Sequence, residues 1–578
     1  MSIISALQQQ LGDLDAWLIP HEDDYLGEYL PAANERLAFV TGFTGSAGQA
    51  LVTRNGLHVW VDGRYTVQVR TQVPTGTQVH HLVEEPLADF LATQADGFRL
   101  GLDSGCVSAR QLAHWQQAAP HVTFVDRDNL VDALWDNRPA LPQGHGFVLP
   151  EVLTGQSCVD KRQAVAARFA AKADWALLTQ ADSVAWLTNL RGSDVPRLPV
   201  MLMRALLGAD GQLKLFCDPE RLPADANLGD AVQILEHSQL DSELAALSGQ
   251  RVWLDEALTP ARFSQQLTQS GATVVPGQEP TLVLKAAKNT AELDGMAEAH
   301  LRDGAAVCEF LYWLDALCSS GQRRDEAELA QQLESYRLAQ ADYLEPSFDT
   351  ISAAGANAAL PHYNFRNGEP AMLPEQGLYL VDSGGQYRFG TTDVTRTVAI
   401  GEPTDEQRRL FTLVLKGHIA LAKAKFVKGT TGHQLDVLAR APLWAEGYDF
   451  DHGTGHGVGH CLSVHEGPQG ISKRANSQPL LPGMVLSNEP GYYREGAFGI
   501  RIENLVVVRE RDAEGDRSVY GFDNLTFIPM DRRLLDLSLL DDGERQWWNQ
   551  YHQQVLAHIG PRVDDNTGEW LREVCAPL

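Results

Sequence analysis

The first half of the chain carries the same short pattern twice, and this repetition restricts the fold more than any other feature of the sequence. FVTGFTGSAGQALVTRNGLHVWVDGRY at 39–65 reads as an apolar strand, a glycine-rich turn, a strand, a turn at Asn55-Gly56 and a further strand. WLTNLRGSDV at 186–195, followed by LMRALLGADGQLKLFCD at 202–218, repeats that order around a turn at Gly208 to Gly211. Each copy is followed by another short strand ending in aspartate, LGLDS at 100–104 and VWLDE at 252–256. The expectation is two similar α/β domains with mixed sheets, over 1–150 and 151–288, and a third domain over 289–578. The first boundary is assigned to RPALPQGHG at 138–146, which offers little to a regular element, and the second to VPGQEPTLVLKAAKN at 275–289.

Length agrees with several domains, because 578 residues is too much for one core and corresponds to roughly three or four domains. The 47 Lys+Arg against 75 Asp+Glu leave a net charge of -28, which repels phosphate backbones and anionic lipid surfaces and argues against nucleic acid or a membrane as partner. Seven cysteines, dispersed and without a CxxC, give neither a disulfide framework nor a zinc knuckle. MSIISALQQQLGDLDAW lacks the basic start of a signal peptide, and no run reaches the ~18 apolar residues of a membrane span, so the cytoplasm is the expected location.

In the third domain, Leu293, Met296, Ala297, His300, Leu301, Gly304, Cys308, Leu311 and Leu314 recur at helical period, predicting a long helix from Ala291. A second helix should start at Thr404, with Gln407 at the capping-box position. The segments 382–398 and 485–508 are strand-like and rich in glycine. The tail over 544–560 reads as a helix whose stripe of Trp547, Tyr551, Val555 and Ile559 faces either a core or a partner.

Polar residues of this domain raise a sharper possibility. Asp382 and Asp393 flank a glycine-containing turn, so neighbouring strands could set them side by side; Glu489 and Glu503 flank a similar turn. Read singly, the aspartates fit ordinary turn residues and the glutamates surface or helix-cap ion pairs better than they fit a metal site. Four converging carboxylates would repel strongly unless divalent cations neutralised them. A pair of such ions sits about 3.5–4 Å apart, acidifies a water between them and polarises a substrate carbonyl. With His456 added, the largely oxygen-donor set points to manganese, cobalt or zinc, with affinity order and cellular supply deciding among them.

Four of the 18 histidines, His452, His456, His460 and His465, fall within HGTGHGVGHCLSVHEGP. The spacing of the first three mimics a helix, but Gly453, Gly455, Gly457 and Gly459 would each cost a helix about 1 kcal/mol relative to alanine. A strand or turn with closely approached backbone is the better reading, and His362 in ALPHYN joins the candidates.

ERLAFVTGFTGSAG, WVDGRY, WLTNLRGSDVPRLP, ALPHYN, LVDSGGQYRFGTTDVTRT, the histidine run, LSNEPGYYREGAFGIRIENL and ERQWWNQYH together resemble the Xaa-Pro aminopeptidases of the pita-bread metallopeptidase family, in their long three-domain cytosolic form. The resemblance implies an α/β (α+β) fold with two creatinase-like N-terminal domains and a C-terminal pita-bread catalytic domain. It implies two metal ions held by Asp382, Asp393, His456, Glu489 and Glu503, with Asp393 and Glu503 bridging. It makes His362, His452 and His465 the pocket histidines, Arg501 a carboxylate-proximal, substrate-binding arginine on the strand face of Glu503, and Thr395 a support for a bridging carboxylate. His460 and Cys461 depart from the small or apolar residues expected there and receive no role.

The implied reaction releases any N-terminal residue that precedes proline. Glu489 would carry the proton to the leaving nitrogen, His362 and His465 would donate to the developing oxyanion, and His452 would line the proline pocket. The implied assembly is a homodimer, with the tail stripe as its expected interface. Two rival readings are a prolidase-like dipeptidase, which needs a positive clamp for the proline carboxylate, and a metal-free binding protein of the same fold.

Overall fold

The structure, a computed structural model, describes residues 2–578, which divide into two compact units. The first comprises the chain up to Glu151 and Gln156–Leu284; the second comprises Val152–Gly155 and Lys285–Leu578.

The first unit holds two six-stranded sheets of the same topology. In space, one runs Gln78–His81, Gly56–Val61, Gln49–Thr53, Ala16–Pro20, Arg99–Leu102, Thr123–Asp126. The other runs Val232–Leu235, Leu213–Phe216, Arg204–Gly208, Trp175–Leu178, Arg251–Leu254, Thr273–Pro276. In both, three central strands pair antiparallel and the outer pairings are parallel. The repeated pattern therefore encodes a repeated sheet. Its opening element, read as a strand in both copies, is a helix in both. Arg36–Thr41 ends at Gly42 with φ +77°, and Ala181–Thr188 ends at Asn189 with φ +56°. A left-handed residue closes each helix before the chain turns. A four-residue apolar run cannot by itself distinguish strand from helix.

The second unit is built around the helix Thr290–Ser319, whose cap Asn289 and Glu292 form a capping box, and several β-sheets, one of them made by Tyr343–Pro346, Gly385–Tyr387 and Gly390–Thr391. Ile351–Ala354, Gly377–Ser383 and Val394–Ile400 make one sheet. Val485–Asn488 and Asn504–Arg511 lie in a six-stranded one, and Gly491–Arg494 with Phe498–Arg501 form a separate hairpin. The helix Asp405–Ala422 starts at the Thr404/Gln407 capping box and buries Leu410, Leu413, Val414, Ile419 and Leu421.

The tail helix, Asp542–Ile559, corrects the expected dimer interface. Tyr551, Val555 and Ile559 are buried in their own domain's core together with Trp548, against Leu311, Phe411 and Ile500. Trp547 is partly buried and stacks on Tyr551 with ring centroids 5.3 Å apart. A helix with an apolar stripe must cover it, and here the same chain supplies the cover. Among the described residues no helix is long and apolar enough to cross a membrane.

Candidate metal centre

The ends of two antiparallel pairs meet at one point. Gly377–Ser383 pairs with Val394–Ile400 so that Asp382 lies opposite Thr395, and Asp393 immediately precedes the second strand. Val485–Asn488 pairs with Asn504–Arg511 so that Asn488 lies opposite Asn504, which leaves Glu489 and Glu503 just past the paired residues. The Glu503 N–H donates to the Thr395 carbonyl at 3.2 Å and joins the two pairs.

The histidine segment reaches the same point as the short strand Gly455–Gly457. A Cβ on Gly455 would lie 2.0 Å from the Ser487 carbonyl oxygen, and one on Gly457 2.2 Å from that of Glu466. The glycines thus admit two neighbouring backbones that any side chain would displace. His456 Nδ1 lies 3.0 Å from the Gly457 carbonyl oxygen, an acceptor that keeps the proton on Nδ1. The lone pair of Nε2 then faces Asp393 Oδ2 at 3.4 Å and Glu489 Oε1 at 3.5 Å. The Ser487 hydroxyl accepts from the His456 N–H at 2.9 Å and donates to Glu489 Oε1 at 3.1 Å. From behind, buried Arg440 donates to the Phe450 and His452 carbonyls and to Asp436, whose other oxygen accepts from the Thr454 hydroxyl at 2.6 Å.

Ligand atoms of Asp393, His456 and Glu503 all lie within 4.8 Å of one another. Asp382 Oδ1, Asp393 Oδ1 and Glu503 Oε1 are buried and accept no hydrogen bond. Burial, and then the neighbouring carboxylates, push Asp393 and Glu503 well above the ordinary carboxylate range; burial also raises Glu489, against the opposing pull of His456 and Arg501. The Arg501 guanidinium donates to this cluster, through Asp382 Oδ2 at 2.6 Å. Buried acceptor oxygens without donors, gathered around one imidazole nitrogen, are the donor set of hard or borderline divalent cations.

The remaining candidates take different places. Thr395 donates its hydroxyl to Glu503 Oε2 at 2.8 Å and accepts from Arg501 Nε at 3.1 Å. Arg501, read as a carboxylate-proximal arginine, is bonded to Asp382 and also donates to the Tyr493 hydroxyl at 2.5 Å and the Pro361 carbonyl at 3.2 Å. It does not share a strand with Glu503: Phe498–Arg501 ends at Arg501, and Glu503 lies in the crossing to the next sheet. His362 lies in the turn directly after Pro361. His452 Nε2 is 2.7 Å from the Tyr493 hydroxyl, and the His465 ring packs edge-on to His456 with centroids 4.4 Å apart. The next residue, Glu466, is buried and takes ion pairs from buried Lys285, at 2.9 Å, and Lys288, which fixes the His465 backbone. Sequence reasoning missed Tyr493, Arg440, Asp436, Ser487 and Glu466. Of these only Glu466, next to a candidate histidine, carried a local signal.

Four family models cover the chain: the Creatinase/Prolidase N-terminal domain over 4–134, a second such model over 137–292, metallopeptidase family M24 over 294–510, and the C-terminal region of peptidase M24 over 518–578. A protein of Laccaria bicolor named probable Xaa-Pro aminopeptidase P is 38% identical over 98% of this chain and 91% of its own length. The chain belongs to the Xaa-Pro aminopeptidases of metallopeptidase family M24. The crystal structure of the Caenorhabditis elegans X-prolyl aminopeptidase, a cytosolic enzyme with a di-nuclear active site, matches with a TM-score of 0.93 at 35% identity over 98% of this chain and 95% of that one. A Bacillus anthracis Xaa-Pro dipeptidase covers only 65% of this chain, with a TM-score of 0.52 and 25% identity over 99% of its own length. As in this M24 family, the fold is two creatinase-like domains before a pita-bread domain, and the acidic cluster is a metal-dependent peptidase site.

Proposed function

We propose that the chain is an Xaa-Pro aminopeptidase, which releases the N-terminal residue of peptides with proline in second place. The reading rests above all on the three donorless carboxylate oxygens buried beside His456, in a chain similar over 98% of its length to an X-prolyl aminopeptidase. In this proposal Asp382, Asp393, His456, Glu489 and Glu503 would hold two divalent ions. The oxygen-rich set favours manganese over zinc or cobalt. When bound, the ions supply an acidified water and a polarised scissile carbonyl.

The protein's own groups do the rest. Glu489, held by Ser487, takes a proton and passes it to the proline nitrogen as the bond breaks. His465 and His362 donate to the oxygen on which charge develops. His452 and Tyr493 present their rings to the substrate proline. That ring has a fixed φ and its tertiary amide has no N–H, so a pocket that asks for no donor accepts what general aminopeptidases reject. Thr395 steadies the Glu503 carboxylate and Arg501 that of Asp382.

The proposal includes a cytoplasmic homodimer whose interface lies away from the tail stripe, and neither nucleic acid nor membrane as partner, in keeping with the charge of -28. Similarity extending across the whole of the long relatives, where the dipeptidase covers less, favours the aminopeptidase over a prolidase. Hydrolysis of Arg-Pro-Pro and of Arg-Pro, before and after chelation and with manganese restored, tests the reading. Metal-dependent release of arginine from the tripeptide is expected. Cleavage of the dipeptide alone would make the chain a dipeptidase, and no cleavage of either would leave a binding protein.

A further inference from the structure

Arg396 is a fully buried cation, 2% exposed, and each of its hydrogen-bond partners is neutral. It stands one residue after Thr395 on Val394–Ile400, so the two side chains leave opposite faces of the strand. Nη1 donates to the carbonyls of Thr395, at 2.8 Å, and Glu503, at 2.6 Å. Nη2 reaches Asn504 Oδ1 at 2.8 Å, the Ile528 carbonyl at 2.8 Å and the Tyr551 hydroxyl at 2.9 Å, while Nε donates to the Pro529 carbonyl at 3.1 Å.

These bonds close a ring around Glu503. Its N–H donates to the Thr395 carbonyl, that carbonyl also accepts from Arg396, and Arg396 donates in turn to the carbonyl of Glu503 itself. Both peptide groups of Glu503 are therefore fixed by the same two residues whose neighbouring hydroxyl, Thr395 Oγ1, fixes its carboxylate. Tyr551 extends the assembly into the tail helix: its hydroxyl meets Arg396, accepts from the Ile528 N–H at 3.2 Å and donates to the Ile528 carbonyl at 2.7 Å. Placing a guanidinium in the core without a carboxylate partner is expensive. Packing alone would be served more cheaply by an apolar side chain, whereas five donors in a rigid plane can hold carbonyls from three separate segments and a tyrosine hydroxyl from a fourth at once.

We infer that Arg396 is a positioning residue of the metal centre, and that Tyr551 brings the tail helix into the same function. The inference rests on the proposed metal reading of Glu503. A carboxylate shared by two ions must be placed to a fraction of an ångström, and here the backbone that carries it is set from behind by a group that never meets metal or substrate.

The test compares wild type, Arg396→Lys and Tyr551→Phe. Manganese binding is measured by calorimetry on chelator-stripped protein, folding by circular dichroism and thermal melting, and kinetics on Arg-Pro-Pro at limiting and saturating manganese. Each variant should fold, bind manganese about tenfold more weakly, a change of about 1.4 kcal/mol, and recover kcat in excess manganese with KM within about twofold of wild type. A role in packing alone would lower the melting temperature and leave the manganese affinity unchanged. That result in the folded variants would overturn the inference. If Arg396→Lys does not fold, Tyr551→Phe, which loses one hydroxyl, decides alone. A wild type that binds no manganese would defeat the metal reading itself, an outcome distinct from variants that bind as well as wild type.

Discussion

Thr395→Val removes one buried hydroxyl at almost constant volume, and its consequences can be worked through bond by bond. The hydroxyl donates to Glu503 Oε2 at 2.8 Å and accepts from Arg501 Nε at 3.1 Å, and Thr395 is fully buried. A hydrogen bond to a charged group contributes about 1.5–3 kcal/mol, and water does not reach a hydroxyl that is fully buried. The donation favours the ionised form of Glu503 and opposes the burial and neighbouring charges that raise its pKa. Without metal, burial and the neighbouring carboxylates favour the protonated form of Glu503, in which the bond is worth less; with metal the carboxylate is ionised and the bond is worth most. The loss therefore falls mainly on the metal-bound state, and manganese affinity should drop roughly 10- to 100-fold at neutral pH, at about 1.4 kcal/mol per factor of ten. The deficit should shrink as pH rises, because fewer protons compete for Glu503. Calorimetric titration of chelator-stripped protein at several pH values measures it, with Thr395→Ser, which keeps the hydroxyl, as control. A folded Thr395→Val variant with wild-type affinity at neutral pH would refute the reasoning.

Other consequences follow from the same cluster. In the metal-free protein Asp393, Glu489 and Glu503 have raised pKa values, so above the ordinary carboxylate range the folded state binds more protons at these groups than the unfolded one. Their contribution to stability falls as pH rises, against the opposite contribution of the histidines His58, His237, His300, His418 and His552, whose pKa values are lowered. Melting of the stripped protein across pH checks this, and the stabilisation gained from manganese should grow over the same range. His465→Ala and His362→Ala should lose mainly kcat, by about 100-fold if each donates to the transition state, while keeping their metal, whereas His452→Ala should mainly raise KM. Steady-state kinetics with metal analysis separates these, and loss of an ion from His465→Ala would make that residue a ligand.

Much of the fold could be read locally. The antiparallel pairing that sets Asp382 near Asp393 and Glu489 near Glu503 was legible, but the segments read as turns between them carry short strands of other sheets, Gly385–Tyr387 with Gly390–Thr391 and Gly491–Arg494 with Phe498–Arg501; the capping box at Thr404 and Gln407 is a three-residue signal. The glycines of the histidine run excluded a helix on propensity alone, and the strand Gly455–Gly457 occupies that place. What was illegible depends on distance in the chain. Arg396 meets Tyr551 across 155 positions, and Asp382 meets Arg501 across 119, with nothing in either neighbourhood to announce the partner. Arg501 and Glu503 were misread as strand neighbours because a chain crossing between sheets at Ile502 leaves no local mark. The tail stripe is a different case. Periodicity shows that a face must be covered, and only the tertiary structure shows that its own domain covers it.

The central claim is that five side chains from the ends of two strand pairs and one histidine strand hold a pair of divalent cations. Anomalous diffraction from crystals of the manganese-loaded protein tests it most directly. Two manganese peaks about 3.5–4 Å apart are expected, bounded by Asp382, Asp393, His456, Glu489 and Glu503, with Asp393 and Glu503 touching both. A single ion held by Asp393, His456 and Glu503 alone, or manganese bound elsewhere with these carboxylates protonated, would contradict it.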